Sequence, residues 1–254
     1  MDIFQAIIIG IVEGFTEFLP ISSTGHMIVV SHFLGVEQSD IVKAYEVIIQ
    51  FSAILAVLFL YKDRLNVKSI PLWRNVIIAS TPILAIGYIF KDFIKSIFSI
   101  EIVAVMFIVG GIIFLVVEYL YSDRKVKVED VDSLSVREAL IIGFGQIFSL
   151  IPGTSRAGST IIAGMLSGVS RKASTEFSFL LAIPVMLAVS GYDLLKHYEQ
   201  FLNVDLTPFI VGFIVSFVVA YLTIKLLIAF LQRFTFVAFG IYRVLFGTLL
   251  LILF

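Results

Sequence analysis

Two segments of this 254-residue chain carry side chains suited to acid–base and phosphate chemistry. The first, EGFTEFLPISSTGH at residues 13–26, holds two carboxylates, several hydroxyls and an imidazole. The second, PGTSRAGST at residues 152–160, holds an arginine among hydroxyls and glycines. Both lie in strongly apolar sequence. Because an ionisable side chain at bilayer depth costs about 2.5–3.5 kcal/mol on insertion scales, we expect these groups to have a function.

The two carboxylates of the first segment, Glu13 and Glu17, are four residues apart. On a helix they share one face, about 5–6 Å apart at Cβ. Such a pair cannot ionise freely unless a cation lies between its members. A divalent metal with oxygen ligands, Mg²⁺ or Ca²⁺, fits this spacing, and so does one general acid/base beside a charged neighbour. The structural alternative is helix capping or solvation in a polar lumen.

Three hydroxyl residues, Ser22, Ser23 and Thr24, follow the helix-breaking Pro20. Hydroxyls and N–H groups at the start of the next helix form an anion-binding site, and one hydroxyl becomes a nucleophile if a base is near. His26 is a candidate base or an alternative nucleophile. Capping of the returning helix by Ser or Thr is the common structural alternative.

The second segment resembles a phosphate-binding turn. Its glycines allow close backbone approach, its hydroxyls donate hydrogen bonds, and Arg156 offers a planar bidentate donor. The alternative is that Arg156 pairs with a buried carboxylate such as Glu13 or Glu17 and so joins two parts of the chain. The residues predicted to bind substrate here are Gly153, Thr154, Ser155, Gly158, Ser159 and Thr160.

The composition indicates a polytopic membrane protein. Hydrophobic residues make up 59% of the chain and the mean hydropathy is +1.07, against about 45–50% apolar residues in soluble domains. Cysteine is absent, which excludes disulfides and thiol chemistry. No basic stripe indicates nucleic-acid binding. The N-terminus lacks a signal-peptide pattern.

Six stretches are long enough to span a hydrocarbon core of about 20 residues. Two further apolar regions, 3–34 and 138–169, are each split by Pro, Gly and Ser, which predicts two re-entrant helix pairs. The predicted spans are Ile41–Leu60, Trp73–Phe90, Ile102–Tyr121, Ala173–Leu194, Pro208–Leu231 and Phe236–Phe254.

The two broken regions also resemble each other. Gly10 matches Gly143, Pro20 matches Pro152 and Glu46 matches Glu176, at offsets of 133 (143−10), 132 (152−20) and 130 (176−46). This near-constant register predicts an internal duplication, with repeats at roughly 1–121 and 137–254 of one membrane domain.

Basic residues set the predicted orientation. By the positive-inside rule, the basic loops face the cytoplasm and 91–99 and 196–207 lie outside. The two halves are then antiparallel, which is an inverted-topology repeat with a site expected near the midplane. The two largest basic clusters are Lys62, Arg64, Lys68 and Arg74 after the first span, and Arg124, Lys125, Lys127 and Arg137 after the third.

Other polar residues lie within the predicted spans. Glu46, Gln50 and Glu176 either line the same polar cavity or have structural roles. Lys225 and Arg243 are expected to snorkel to the surface.

In both motifs the sequence resembles the undecaprenyl-diphosphatase family, also called bacitracin-resistance proteins. The resemblance covers nearly the whole chain and includes the segment YEVIIQ at residues 45–50. One departure is Ala157, where the family often has a serine.

The resemblance implies a multi-pass phosphatase of the cell membrane, with its site open to the outer face. It would convert undecaprenyl diphosphate to the monophosphate, recycle this carrier for cell-wall polymers and confer bacitracin resistance, with Mg²⁺ or Ca²⁺ as cofactor. Glu13 and Glu17 would hold the metal or tune a base. Ser23 or His26 would attack phosphorus, or His26 would activate water. The diphosphate would bind Arg156, Ser155 and Thr24.

Two other classes of function remain open. Inverted repeats with broken helices are typical of secondary carriers, so a transporter or flippase for the prenyl phosphate carrier is the main alternative. A purely structural membrane subunit is the third. The expected partners are a polyprenyl diphosphate lipid and the bilayer, without nucleic acid. A homodimer is a further alternative.

Overall fold

A computed structural model describes residues 1–37, 39–121, 126–202 and 204–254. This part of the chain folds into eleven α-helices joined by short turns, some of them 3₁₀. The helices are α1 (Ile3–Thr16), α2 (Ser23–Phe33), α3 (Asp40–Leu60), α4 (Ile70–Ile89), α5 (Lys91–Ser96), α6 (Ile100–Tyr121), α7 (Val136–Gln146), α8 (Arg156–Ser167), α9 (Arg171–Phe201), α10 (Thr207–Phe230) and α11 (Val237–Leu253).

Five segments of the described chain are long and apolar enough to cross a membrane: Asp40–Leu60, Val67–Ile89, Ile100–Tyr121, Arg171–Glu199 and Thr207–Phe230. The helix at the sixth predicted span, α11, has 17 residues. At 1.5 Å per residue it covers roughly 26 Å, slightly less than a hydrocarbon core of about 30 Å. The prediction of an all-helical, multi-pass membrane protein is confirmed. The exact six-span, re-entrant arrangement stays a prediction.

Each of the two broken apolar regions forms a helix, a non-helical turn and a second helix. Helix α1 ends at Thr16 and α2 begins at Ser23; α7 ends at Gln146, followed by a 3₁₀ turn, and α8 begins at Arg156. The residues immediately before the second helix of each pair, Ser22 and Ser155, have positive φ of 68° and 76°. A non-glycine residue holds such a conformation only where the surrounding structure imposes it, and such residues cluster at functional sites.

Helix packing follows the predicted duplication. Helix α1 packs on α10 and α7 packs on α4, while α3 packs on α9 and α6 packs on α11. At the α1–α10 crossing a Cβ on Gly10 would lie 2.5 Å from the carbonyl oxygen of Gly212, and at the α7–α4 crossing a Cβ on Gly143 would lie 2.5 Å from that of Ala79. Both pairs are related by an offset of 133 residues (143−10 and 212−79). The inverted repeat itself stays a prediction, and the equivalent packing of these two helix pairs agrees with it.

Ionic contacts connect several of the basic loops at one end of the bundle, the basic end. Arg171, at the start of α9, pairs with the buried Glu118 near the end of α6, and Glu118 also accepts the N–H of Phe236 before α11. Arg64, after α3, pairs with Asp132 before α7. These contacts agree with a shared side for the basic loops. Arg124 and Lys125 lie outside the described residues.

Candidate active site

One ion pair and one short hydrogen bond connect the two sequence motifs. The Arg156 guanidinium lies 2.8 Å from Glu17 Oε1, and the Ser23 hydroxyl donates a 2.6 Å hydrogen bond to Glu17 Oε2. The ion pair is nearly inaccessible, with side-chain exposures of 10% for Arg156 and 5% for Glu17. Arg156 also donates to the Ser178 carbonyl at 2.8 Å. A carboxylate, a hydroxyl and a fixed guanidinium therefore meet in one place, although 139 residues separate the two charges.

Glu13 is the most deeply buried of the predicted site carboxylates. It is 1% exposed and within hydrogen-bonding reach of Glu17, and Glu46 and Arg156 are its other charged neighbours. Its Oε1 has no hydrogen-bond partner among the described residues. A buried oxygen of this kind is costly to leave unsatisfied, so it is a candidate ligand for a proton or a cation.

A cavity of about 220 Å³ opens beside this cluster. It is lined by residues from both broken regions and from α3, α5 and α9. Its polar lining consists of Glu17, Ser22, Ser23, Thr24, Gln50, Ser149, Gly153, Ser155 and Arg156. Its apolar lining consists of Ile94, Phe98, Leu150, Pro152 and Met186.

The two helices that begin at the cavity differ in how their N-termini are satisfied. Ser155 caps α8, since its Oγ accepts the N–H of Gly158 at 3.1 Å. Ser22, the equivalent residue before α2, makes no side-chain capping bond. Within the described residues, the Ser22 side chain leaves the first N–H groups of α2 uncapped, and the N-terminus of a helix favours an anion. The anion-binding prediction fits α2 better than α8.

Several residues of the second motif have local roles instead of lining the cavity. Ser159 donates to the Ser155 carbonyl, and Thr160 donates to backbone carbonyls of α8 and to the Ser178 hydroxyl. Gly158 and Thr154 are also absent from the lining. Of the predicted substrate-binding residues in this motif, the structure places Gly153 and Ser155 at the cavity.

His26 lies outside the cavity lining, with both ring nitrogens in hydrogen bonds. Its Nδ1 is 2.7 Å from the Ser22 carbonyl oxygen and its Nε2 is 2.6 Å from the Tyr242 hydroxyl. Because a carbonyl only accepts, Nδ1 carries a proton, and in the neutral ring Nε2 accepts from Tyr242. The ring also stacks on Phe246 at 4.6 Å. His26 therefore contacts the turn before Ser23, and its role as base or nucleophile stays a prediction.

Three polar residues of the predicted spans lie in different surroundings. Gln50 lines the cavity. Glu46 accepts a hydrogen bond from Ser31 at 3.0 Å, whereas Glu176 lies near Arg64 and Lys172 at the basic end. Glu176 does not line the cavity.

Arg243 corrects the expectation that it snorkels to the surface. It is completely buried and donates to four backbone carbonyls, including that of Pro20 in the first broken region and that of Gly153 in the second. Sequence reasoning missed it because it lies in no motif. The available signal was a lone arginine inside an apolar helix without an acidic residue within the same span.

The carboxylates at the site number fewer than a protein-only metal centre requires. Within the described residues no three His, Cys, Asp or Glu side chains come together to hold a metal. Mg²⁺, however, is often bound by one or two carboxylates together with substrate phosphates. Glu13, with its unpartnered oxygen beside Glu17, fits this second arrangement.

Buried polar groups from two broken helix pairs, inside an apolar helical bundle, define a polytopic membrane protein with a polar site inside its helical bundle. A profile of the family described as "Bacitracin resistance protein BacA" matches residues 6–249. The chain belongs to this family.

Relatives align along the full length of the chain. It is 62% identical over 253 residues to an undecaprenyl-diphosphatase of Sulfurovum sp. (strain NBC37-1), with all of both chains covered. It is 61% identical over 255 residues to that of Sulfurimonas denitrificans, again with full coverage. The protein of the same name from Methanococcus aeolicus is 46% identical over 254 residues, covering 100% of this chain and 99% of its own.

Proposed function

We propose that this chain hydrolyses undecaprenyl diphosphate to undecaprenyl monophosphate and inorganic phosphate. One structural observation carries the proposal: the Ser23 hydroxyl donates to Glu17 in the same cavity that Arg156 lines. A nucleophile, a base and a fixed cation are the groups that phosphoryl transfer requires. The full-length similarity to relatives named undecaprenyl-diphosphatase supports the substrate.

Ser23 is the nucleophile in this proposal. Its Oγ bonds to the terminal phosphorus while its proton passes to Glu17, and the bond from that phosphorus to the bridging oxygen breaks. Prenyl monophosphate leaves. A water molecule then attacks the phosphoserine phosphorus and the bond from that phosphorus to Ser23 Oγ breaks. Glu17 returns its proton to Ser23 Oγ, and one proton of the water is released with inorganic phosphate. The 2.6 Å hydrogen bond from Ser23 to Glu17 is within the reach that a general base needs.

The diphosphate binds between the two motifs. Arg156 supplies the positive charge from α8, and the uncapped N-terminus of α2 supplies N–H groups around Ser22, Ser23 and Thr24. Because Arg156 is already fixed by Glu17 and Ser178, it needs little reorganisation when charge develops on the phosphate oxygens.

Glu13 and Glu17 are the residues proposed to hold a divalent cation, Mg²⁺ or Ca²⁺. Such a cation neutralises charge on the diphosphate when bound. Glu13→Gln should weaken Mg²⁺ binding in titration calorimetry with a non-hydrolysable prenyl diphosphonate present. Glu199→Gln, on the far end of α9, is a control. Equal Mg²⁺ affinity in Glu13→Gln and the wild type would remove Glu13 from the metal site.

The prenyl chain leaves the cavity on its apolar side, along Ile94, Phe98 and Met186. Helix α5, which carries Ile94, joins the ends of α4 and α6 that lie away from the basic loops. If those loops face the cytoplasm, the cavity opens to the outer face of the cell membrane. Recycling the lipid carrier there accounts for resistance to bacitracin, a drug that sequesters the diphosphate.

Release of inorganic phosphate from a C55 prenyl diphosphate by purified protein in detergent tests the function. The wild type should release phosphate, and EDTA and Ser23→Ala should each abolish the release. Ser96→Ala, on the exposed face of α5, should leave it unchanged. If the folded wild type releases no phosphate but moves prenyl phosphate across liposomes, the chain is a flippase and the proposal is wrong.

A further inference from the structure

The side chain that connects the two halves of the site lies in neither motif. Arg243, on α11, is 0% exposed, and its guanidinium donates to the carbonyls of Met106 at 2.9 Å, Pro20 at 3.1 Å, Gly153 at 3.1 Å and Phe107 at 3.4 Å. Its guanidinium carbon also lies 5.2 Å from the centre of the Phe107 ring.

All of these partners are neutral. Within the described residues no carboxylate forms an ion pair with Arg243. A buried charge held only by carbonyl dipoles is expensive, so a merely structural link would be made more cheaply by apolar packing. Such a group is expected where fixed geometry is needed.

Two of the four carbonyls lie shortly before a residue of the proposed site, one in each broken region. Pro20 precedes Ser23 by three residues, and Gly153 precedes Arg156 by three residues (23−20 and 156−153). One guanidinium therefore holds the turn that presents the proposed nucleophile and the turn that presents the phosphate-binding arginine. The separation of these two turns sets the distance between the Ser23 hydroxyl and the Arg156 guanidinium.

The neighbouring backbone leaves room for this contact. Gly110, on α6, faces the guanidinium, and a Cβ at that position would collide with Arg243 Nη2. Helices α6 and α11 pack closely along this face. A larger residue at position 110 would displace the guanidinium without removing its charge.

We propose that Arg243 is a positioning residue that fixes the two halves of the active site relative to each other. The inference rests on the proposed phosphatase function for its effect on activity, but its structural part does not depend on that function. Arg243 is not among the residues that line the cavity. Its hydrogen bonds go to none of Ser23, Glu17 and Arg156.

The test combines kinetics with a distance measurement. Because the chain has no cysteine, nitroxide labels on Phe33→Cys in α2 and Leu166→Cys in α8 report the relation of the two helices by pulsed electron paramagnetic resonance. Arg243→Met should broaden the inter-label distance distribution and lower kcat about 10²-fold, the effect of displacing reacting groups by about 1 Å. Arg243→Lys, which retains a cation with three donors, should recover part of both. Lys225→Met, which removes an exposed cation from α10, should change neither.

A second variant keeps the test decisive if Arg243→Met does not fold. Gly110→Ala should also broaden the distance distribution and lower kcat, whereas Gly191→Ala, where an added Cβ meets nothing within 4 Å, should not. An unchanged, narrow distribution in Gly110→Ala and in folded Arg243→Met would overturn the positioning role. If the wild type itself releases no phosphate, the proposed function fails, and the distance distributions still decide the role of Arg243.

Discussion

Removal of the Arg156 guanidinium should affect stability as much as activity. In Arg156→Met the Glu17 carboxylate loses its ionic partner at 2.8 Å and keeps the hydrogen bond from the Ser23 hydroxyl. Both charged side chains are at most 10% exposed, so the carboxylate that remains is poorly solvated. Breaking a buried pair from one side costs about 3–5 kcal/mol. This is a large fraction of a total stability of about 5–15 kcal/mol.

The free energy of unfolding can be followed by helical circular dichroism during titration with SDS in mixed micelles. Lys172→Met is the matched control, because Lys172 is 60% exposed and lies 3.9 Å from Glu176 at the basic end. Because the Lys172 side chain is solvated, its pairing with Glu176 contributes about 0–1 kcal/mol. The control should therefore unfold close to the wild type, and Arg156→Met should unfold at a clearly lower SDS fraction.

The double variant Arg156→Met with Glu17→Gln distinguishes the energy of the ion pair from the separate contributions of its two side chains. Because the buried charge is then absent, its unfolding free energy should exceed that of Arg156→Met alone, with a coupling of about 0.5–3 kcal/mol. Phosphate release should be lost in all variants that lack Arg156, including the more stable double variant. Additive costs in the double variant, or wild-type stability of Arg156→Met, would refute the reasoning that the pair is buried and coupled.

Three further predictions follow from single residues. His26→Ala should lower phosphate release by about 10²-fold, because the turn before Ser23 loses a contact that positions it. The shape of the pH–rate profile should stay the same, since both ring nitrogens are hydrogen-bonded to Ser22 and Tyr242. Loss of one limb of the profile would instead make His26 the base. Gly153→Ala should lower both the unfolding temperature and activity, because φ is +90° and the new Cβ would lie 2.5 Å from the Val103 carbonyl; wild-type thermal unfolding of this variant would contradict the strained turn. Gln146→Leu should raise the unfolding free energy by about 1–3 kcal/mol with activity retained, because neither polar atom of this fully buried amide has a partner among the described residues; a destabilised variant would mean that the amide is satisfied.

The helical architecture was predictable because it depends on local signals. Long apolar runs determine the spans, and Pro20, Pro152 and Gly153 interrupt two further apolar regions where non-helical turns occur. The pairing of Arg156 with Glu17 was also predictable, because a buried arginine needs a partner and the first motif carries two carboxylates.

Other features of the site depend on distances that no local pattern encodes. Arg243 was expected to snorkel because arginine in a span usually does, and its actual carbonyl partners come from three separate segments of the chain. The hydrogen bond from His26 to Tyr242 on α11 joins residues 216 positions apart, so no pattern near His26 predicts it. The difference between the two helix N-termini likewise depends on which way the Ser22 and Ser155 side chains point.

The proposed covalent intermediate offers the most direct test of the central claim, that the Ser23–Glu17–Arg156 cavity is a phosphatase site. Prenyl diphosphate labelled with ³²P at its terminal phosphorus is mixed with the protein and quenched with acid within milliseconds, and the labelled peptide is identified by mass spectrometry. The account predicts transient label on Ser23 that is absent from Ser23→Ala. Two results together would contradict it: no label on the wild-type protein at any time point, and phosphate release by Ser23→Ala at the wild-type rate.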